Sequence, residues 1–152
     1  MNNQVIYLVL HNIRSAYNVG AILRTADAAG VTKVFVCGIS PKPDSPQVIK
    51  TALGAEKTIY WEYHHQAVRL IKKLKNEDYE ILALELDKDS INIFKYKTRH
   101  KKLVLIVGNE IRGLNKKILS LSDKILEIPM RGTKESLNVA VAAGIAVYRF
   151  LD

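Results

Sequence analysis

Arg24 stands among apolar residues in the segment 12–26, N-I-R-S-A-Y-N-V-G-A-I-L-R-T-A. Its guanidinium could bind a phosphate or a ribose, or it could lie on the surface while its aliphatic stem covers the core. Asn18 precedes it by six residues and could cap a helix. Gly20 would let another backbone approach the first turn. These residue types predict a helix that carries Arg24, and by themselves they favour the surface role of Arg24 over the role of a ligand.

A carboxylate lies between two glycines in the segment 105–114, L-I-V-G-N-E-I-R-G-L. Gly108 and Gly113 can offer their peptide groups to a ligand, because no side chain blocks the approach. Glu110 could cap the turn that follows it, or it could be a buried carboxylate that faces an arginine. An apolar run followed by glycines predicts a strand that ends in a loop able to bind a ligand.

The segment 128–140, I-P-M-R-G-T-K-E-S-L-N-V-A, passes from one apolar run through a polar loop into another. Ser136 stands where a helix would begin, and its hydroxyl can cap the first turn. Asn138 is a poor residue for the interior of a helix, so capping by Ser136 leaves it unexplained. A separate role for Asn138 therefore stays open.

The patterns of several common sites are missing from the sequence. No G-x-G-x-x-G follows the first apolar run and no G-x-x-x-x-G-K-[ST] occurs, which disfavours a dinucleotide site, a P-loop and the common Rossmann-type methyltransferase. The adjacent His64 and His65 would diverge, and neither His11 nor His100 has a partner at ligand spacing, so we expect no metal. The single cysteine, Cys37, rules out an internal disulfide.

Short β-branched runs alternate with helical patterns, which predicts parallel strands joined by helices in one α/β domain over residues 1–152. The three segments each follow a predicted strand, and open α/β sheets bind ligands beyond the carboxyl ends of their strands. Gly30 is placed to end the first helix in a left-handed conformation. The predicted strands are 5–10, 33–37, 58–63, 80–86, 102–107 and 124–128, and the predicted helices are 18–29, 48–55, 66–75, 115–120 and 137–151.

The chain is basic, with 23 lysines and arginines against 15 aspartates and glutamates and a formal net charge of +8 at pH 7. This excess favours a polyanionic partner such as RNA, although a basic protein need not bind one. No signal-peptide pattern opens the sequence, and Asn138 and Arg149 interrupt its longest apolar stretch. We therefore expect a cytoplasmic protein that does not enter a membrane.

The last predicted helix is apolar around most of its circumference, and Ala140, Ala143 and Gly144 would let another helix approach closely. One domain of this size is too thin to cover every face of such a helix. This pattern favours a homodimer that forms through the last helix.

Taken together, the three segments resemble the three motifs of the SpoU (TrmH-like) family, in the SPOUT superfamily of methyltransferases. The resemblance extends from residue 5 to residue 150 and is closest to compact members without an added RNA-binding domain. It implies transfer of a methyl group from S-adenosylmethionine to a ribose 2′-hydroxyl of RNA, with tRNA favoured. It also implies a homodimer, and an α/β/α sandwich around a parallel sheet with a deep C-terminal trefoil knot.

The resemblance assigns residues of this chain to a cofactor pocket and to a catalytic centre. Arg24 matches the catalytic arginine, either as a base or as a ligand of the neighbouring phosphate and the developing alkoxide. His11 is a second candidate base, although its position favours an ordinary polar residue at a strand end. The implied cofactor pocket contains Leu84, Gly108, Ile128, Ser136 and Leu137, and the implied catalytic residues besides Arg24 are Asn18, Glu110, Ser136 and Asn138.

Contacts with RNA are expected from basic residues in or beside the motifs. The run 95–102, K-Y-K-T-R-H-K-K, is a denser basic cluster, and it is either a further RNA contact or a solvated loop before a strand. Two other functions compete with methylation of tRNA: methylation of rRNA, and binding of RNA or cofactor without catalysis. The expected RNA-binding residues are Arg14, Arg112, Arg131 and Lys134.

Overall fold

A seven-stranded sheet forms the centre of the computed structural model, which describes residues 3–151. Its strands are β1 (Val5–His11), β2 (Lys33–Cys37), β3 (Trp61–His64), β4 (Glu80–Leu84), β5 (Ile91–Asn92), β6 (Lys102–Val107) and β7 (Lys124–Glu127). They lie in the order β3-β2-β1-β6-β4-β7-β5, and each pair of neighbours is parallel. The predicted parallel sheet is confirmed, with the two-residue β5 as an addition.

Helices cover both faces of this sheet. They are α1 (Ala16–Ala29), α2 (Pro46–Ala52), α3 (Ala55–Thr58), α4 (Ala67–Asn76), α5 (Lys116–Leu121) and α6 (Val139–Leu151). Leu8 and Leu10 of β1 pack with α1, α2, α3 and α6, whereas Val9 packs with α4 and α5. Successive side chains of a strand point to opposite faces, so the core has two halves in an α/β/α sandwich. Within residues 3–151, no helix is long and apolar enough to cross a membrane.

Two predicted elements differ from the structure because of local backbone geometry. The helix predicted over 48–55 divides into α2 and α3, since Leu53 and Gly54 take left-handed conformations with φ of 52° and 94°. The strand predicted over 58–63 starts only at Trp61, because α3 includes its first residue. Gly30 has a φ of 76° and ends α1 as predicted.

Ser15, and not Asn18, caps α1. The Ser15 hydroxyl accepts a hydrogen bond from the N–H of Asn18 at 3.1 Å. Ser15 immediately precedes the helix, whereas Asn18 lies inside its first turn and is buried. The prediction that Asn18 caps the helix is therefore wrong, and its side chain bonds other segments instead.

Asn138, and not Ser136, caps α6. Its Oδ1 accepts hydrogen bonds from the N–H groups of Ala140 at 2.8 Å and Val141 at 3.3 Å. A capping oxygen reaches the second and third residues of its helix, so α6 begins at Val139 and not at 137 as predicted. The sequence left the role of Asn138 unexplained, and the structure shows that Asn138 caps the start of the last helix.

Glycines let α1 pack closely on α2 and α6. A Cβ on Gly20 would lie 2.6 Å from the carbonyl oxygen of Val48 and 2.8 Å from the nitrogen of Ala52. This confirms the predicted close approach of another backbone at Gly20. A Cβ on Gly144 of α6 would lie 3.4 Å from Cγ2 of Thr25 of α1. The close helix approach expected at Gly144 therefore takes place within the chain.

Candidate active site

A cavity of about 400 Å³ opens at the carboxyl edge of the sheet, where β4, β6 and β7 end. Its walls come from the stretches 84–86, 107–113 and 127–142. The second of these stretches lies within the second segment that the sequence singled out, and the third includes the third segment. The five residues expected in a cofactor pocket all line it: Leu84, Gly108, Ile128, Ser136 and Leu137.

Two glycines let the loop after β6 fold back tightly beside the cavity. A Cβ on Gly108 would lie 2.6 Å from Cδ2 of Leu114 and 2.9 Å from the carbonyl of Gly113. Gly113 has a left-handed φ of 65°, and a Cβ there would collide with the carboxylate of Glu85. That carboxylate accepts a hydrogen bond from the N–H of Leu114 at 2.8 Å. Both glycines are therefore required by the shape of the loop itself, in addition to any approach of a ligand.

Glu110 joins this loop to the start of α1. Its carboxylate accepts hydrogen bonds from the N–H groups of Arg14 and Ser15, both at 2.9 Å, and from Nδ2 of Asn18 at 3.1 Å. Burial raises the pKa of Glu110, but the bonds from the Arg14 and Ser15 N–H groups outweigh it and hold the pKa below its ordinary value. Glu110 is thus ionised at neutral pH, at the positive end of a helix.

Neither of the two roles left open for Glu110 is the one seen within the chain. Its described partners are main-chain N–H groups and an amide, and none of the ion pairs within residues 3–151 includes it. The residue is exposed, and only its carboxylate is partly shielded from solvent. Glu110 caps α1, which precedes it in the chain, and not the turn that follows it.

Asn18 and Asn138 connect the three motif segments in one network. Asn18 is only 7% exposed, and its Oδ1 accepts a hydrogen bond from Nδ2 of Asn138 at 3.1 Å. Because Asn18 also donates to Glu110, the network joins the starts of α1 and α6 to the loop after β6. Neither amide lines the cavity, so both act by holding its walls together.

Arg24 lies on a different surface from the cavity. It is exposed on α1 and borders a shallow depression together with Tyr17, Lys50 and Tyr148. This depression lies between α1, α2 and α6, and none of its residues lines the cavity. A single chain therefore does not bring the expected catalytic arginine to Ser136.

The expected RNA-binding residues lie at the carboxyl edge of the sheet. Arg14 and Arg112 line a groove of about 530 Å³, which shares residues of the loop 109–113 with the cavity. Arg131 and Lys134 are exposed on the stretch that leads from β7 past the cavity to α6. The structure therefore brings four basic residues to the surroundings of one cavity.

The end of the basic run 95–102 lies at the opposite edge of the sheet. β6 begins at the end of this run and ends at the cavity, and a strand of six residues is about 20 Å long. The hydroxyls of Tyr96 and Thr98 donate to the buried carboxylate of Glu80, the first residue of β4. The centre of the run is therefore a structural contact, and Lys101 and Lys102 at its end lie far from the cavity.

Burial changes the two reactive side chains at the ends of β1 and β2. Burial lowers the pKa of the His11 imidazole and raises the pKa of the Cys37 thiol to about 12. His11 is therefore neutral at pH 7, and Nδ2 of Asn12 lies 3.3 Å from its Nε2. His11 lines the groove but not the cavity. Among the described residues, no three His, Cys, Asp or Glu side chains are grouped as metal ligands.

Comparison with known sequences identifies relatives along almost the whole chain. Residues 5–148 match the SpoU rRNA Methylase family. A tRNA (guanosine(18)-2′-O)-methyltransferase of Aquifex aeolicus is 36% identical over 137 residues, which are 90% of this chain and 64% of that protein. The chain therefore spans somewhat less than two thirds of this relative.

Two solved structures share the fold. The AdoMet-bound rRNA methyltransferase from Sinorhizobium meliloti matches with a TM-score of 0.89 and 26% identity, over 99% of this chain and 57% of that one. A solved structure that concerns the 2-OH methylation of C/U34 on tRNA matches with a TM-score of 0.84 and 25% identity, over 96% of this chain and 93% of that one. The second structure therefore has nearly the same extent as this chain.

Proposed function

We propose that this chain, which belongs to the SpoU rRNA methylase family, transfers a methyl group from S-adenosylmethionine to a ribose 2′-hydroxyl of tRNA. The observation that carries the proposal is the cavity at the carboxyl edge of the sheet. The second and third motif segments form its walls, and Glu110 bonds the first segment to them. Ligands of open α/β sheets bind at this edge.

The cavity fits S-adenosylmethionine in size and in lining. Its volume of about 400 Å³ falls within the ~300–1,000 Å³ of small-molecule sites. Leu84, Ile128 and Leu137 offer apolar walls for a flat heterocycle, and the loop at Gly108 offers peptide groups that can bond its edge. When bound, S-adenosylmethionine supplies a methyl group on a positively charged sulfur. The ionised Glu110 in the cavity wall favours that charge.

Arg24 is assigned to the acceptor RNA and not to the cofactor. The 2′-oxygen would approach the methyl carbon in line with the sulfur, which leaves as the neutral thioether, and the proton of the hydroxyl would pass to water. A guanidinium is protonated at neutral pH, so Arg24 holds the adjoining phosphate and stabilises the alkoxide as it forms. Holding the two reactants in line also lowers the barrier.

A homodimer is part of the proposal, because Arg24 lies outside the cavity of its own chain. Three exposed apolar side chains border the same depression as Arg24: Tyr17 on α1, Leu53 after α2 and Tyr148 on α6. Val141 of α6 is also exposed. Val141 and Tyr148 are seven residues apart and share one face of α6. Pairing of this face with a second copy would cover these side chains and bring Arg24 to the cavity of the partner.

Two relatives named for tRNA support tRNA as the substrate. One is the Aquifex aeolicus tRNA (guanosine(18)-2′-O)-methyltransferase, which is 36% identical, and the other is the structure that concerns 2-OH methylation of C/U34 on tRNA. Methylation of rRNA is the second candidate, supported by the higher TM-score of 0.89 to the rRNA methyltransferase from Sinorhizobium meliloti.

A knotted C-terminus and a cytoplasmic location complete the proposal. From β7 the chain passes along the cavity, at the ends of β4 and β6, before α6 packs on α1. This crossing and the family membership support the deep trefoil knot. The cytoplasmic location stays a prediction.

The reaction is tested by labelling tRNA with methyl-tritiated S-adenosylmethionine and digesting the product with alkali. A 2′-O-methyl group blocks cleavage of the adjoining phosphodiester, so the label is expected in an alkali-resistant dinucleotide. A target nucleotide in its 2′-deoxy form should accept no label. Label in mononucleotides would place the methyl group on a base and contradict the proposal.

Two variants separate catalysis from binding alone. Leu137→Asp puts a charge into the apolar wall of the cavity, so it should abolish both binding of S-adenosylmethionine and incorporation of label. Tyr60→Ser changes an exposed side chain outside the cavity and should alter neither. A wild-type protein that binds S-adenosylmethionine but labels neither tRNA nor rRNA would be a binding protein without catalysis.

A further inference from the structure

The groove beside the cavity combines two arginines with two exposed isoleucines. Arg14 and Arg112 line it together with Ile39 and Ile111. Ile39 is 66% exposed and Ile111 is 79% exposed. Single apolar side chains are common on protein surfaces, but two in one basic groove form a patch with both apolar and cationic character.

Two asparagines hold the backbone that carries three of these side chains. Oδ1 of Asn109 accepts hydrogen bonds from the N–H groups of Ile111 at 2.9 Å and Arg112 at 2.8 Å. Oδ1 of Asn12 accepts one from the N–H of Ile39 at 3.0 Å. Nδ2 of Asn109 donates to the carbonyl of Asn12 at 2.9 Å, which joins the two loops. The groove is therefore organised before any ligand arrives, which lowers the entropy cost of binding.

Asn12 has a left-handed backbone conformation, with a φ of 56°, which asparagine adopts more readily than other residues outside glycine. The neighbouring Gly38 is also left-handed, with a φ of 67°, and a Cβ there would collide with the side chain of Asn12. These two residues therefore allow the loops after β1 and β2 to pack closely beside the groove.

The charge of the groove suits an anion. None of its lining residues is a carboxylate. Glu110, the neighbour of Ile111 in sequence, bonds the N–H groups at the start of α1. His11 is neutral, so the charged side chains of the groove are Arg14 and Arg112. Arginine binds phosphate oxygens through its planar array of donors.

We propose that this groove binds the nucleotide next to the target nucleotide in the RNA strand, with its base against Ile39 and Ile111 and its phosphate on Arg14 and Arg112. The inference rests on the proposed function, since the target ribose must lie at the cavity. The groove and the cavity share the loop 109–113, so a strand that leaves one enters the other. A base that packs on side chains must be unstacked, which selects single-stranded RNA.

Substrates with one abasic nucleotide test the base contact. Short RNAs carry either an intact sequence or an abasic ribose on the 5′ or the 3′ side of the target. With the wild-type protein, one of the two abasic RNAs should have a KM about five- to tenfold higher than that of intact RNA, which corresponds to a loss of about 1 kcal/mol of binding free energy. The side of that abasic ribose shows which neighbour of the target nucleotide lies in the groove. The kcat and the Kd of S-adenosylmethionine should not change.

Ile111→Ser should raise the KM of intact RNA by a similar factor and abolish the difference between intact and abasic RNA. Tyr60→Ser is the matched control, because Tyr60 is 78% exposed and lies outside the groove. It should discriminate the two RNAs as the wild-type protein does. Arg112→Gln should raise the KM of both RNAs, since both keep the phosphate.

The outcomes separate this inference from the function on which it rests. Equal KM values for intact and abasic RNA would overturn the inference alone, and so would an Ile111→Ser protein that still discriminates them. Absence of ribose methylation on intact RNA would overturn the proposed function and this inference with it.

Discussion

At the scale of the residue, Asn138 serves two connections with one side chain. Its Oδ1 caps α6 while its Nδ2 bonds Asn18, and Asn18 in turn bonds Glu110. Each such hydrogen bond contributes about 0.5–1.5 kcal/mol on its own. The three segments that they join surround the cavity, so a change in one member should alter the cavity without direct contact with a ligand.

Glu110→Gln should lower the free energy of unfolding at pH 7, and the difference from the wild type should disappear in acid. The pKa of Glu110 is lower in the folded chain than in the unfolded chain. The ionised carboxylate therefore stabilises the fold at pH values above its unfolded-state pKa. This stabilisation is lost as the pH falls through the folded-state pKa. A charge at a helix N-terminus contributes about 0.3–1 kcal/mol. Urea denaturation from pH 7 to pH 3 measures the difference.

Glu135→Gln is the control for this measurement. Glu135 is also exposed and lines the cavity, but it has no hydrogen bond among the described residues. Its replacement should change stability little at any pH. A Glu110→Gln difference that stays constant between pH 7 and pH 3 would show that the charge of Glu110 does not stabilise the fold.

Arg24→Ala should lower kcat by about 10²–10³-fold, as expected for loss of one group that stabilises a developing anion. The Kd of S-adenosylmethionine should not change, because Arg24 does not line the cavity. Arg24→Lys should also fail, since lysine keeps the charge but loses the planar donors. Incorporation of label measures kcat, and calorimetric titration measures the Kd of S-adenosylmethionine. Near-normal turnover by Arg24→Lys would show that a simple charge suffices.

At the scale of the element, the parallel sheet separates two basic surfaces. The carboxyl ends of its strands meet at one edge, which carries the cavity and the groove. The later part of the run 95–102 precedes β6 and lies at the other edge. Only the first surface lies where RNA can present a ribose to the cavity.

Arg14→Gln/Arg112→Gln should weaken binding of RNA and reduce its dependence on salt. Each lost phosphate contact lowers the slope of log K against log salt by about 0.7–0.9, so two contacts should lower it by about 1.4–1.8. The double variant Lys97→Gln/Arg99→Gln removes the same charge from the opposite edge and should leave the slope unchanged. Equal changes in both variants would mean that RNA binds by net charge alone.

Gly20→Ala should destabilise the contact between α1 and α2. The new Cβ would lie 2.6 Å from the carbonyl of Val48, so the two helices must move apart. Such overpacking costs about 1–3 kcal/mol, which thermal and urea denaturation can measure. Gly132→Ala adds a Cβ with nothing within 4 Å and serves as the control. Equal stability of the two variants would contradict this account of the contact.

At the scale of the whole molecule, the proposed site draws on surfaces that are separate in one chain. The cavity and the groove lie at the carboxyl edge of the sheet, whereas Arg24 lies between α1, α2 and α6. A second copy on the exposed apolar face of α1 and α6 would complete two sites at once. A monomer at micromolar concentration in light scattering would contradict this arrangement.

Mixed dimers of Arg24→Ala and Leu137→Asp should regain activity that neither variant has alone. If Arg24 acts on the partner's cavity, a mixed dimer has one site with both defects and one site with none. Random mixing gives half mixed dimers, each with one of two sites active, so about a quarter of wild-type activity should return. No recovery in dimers shown to exchange subunits would place Arg24 at the cavity of its own chain.

The sequence by itself determined the layered α/β class, most of the strands and the three segments that build the site. Alternation of β-branched runs with helical patterns is a local property, and it specifies strands such as Lys33–Cys37 without reference to the rest of the chain. The motif wording of the three segments is also local, and it indicated the family before any contact was known.

Only the tertiary structure decided which polar groups meet. Ser15 and Asn18 are both suitable caps, and so are Ser136 and Asn138, so local propensity cannot choose between them. The choice depends on Glu110, which bonds Asn18 only because β6 inserts between β1 and β4. This strand order arises from packing between distant segments. It also decides which basic cluster lies beside the cavity, and it places Arg24 on another surface.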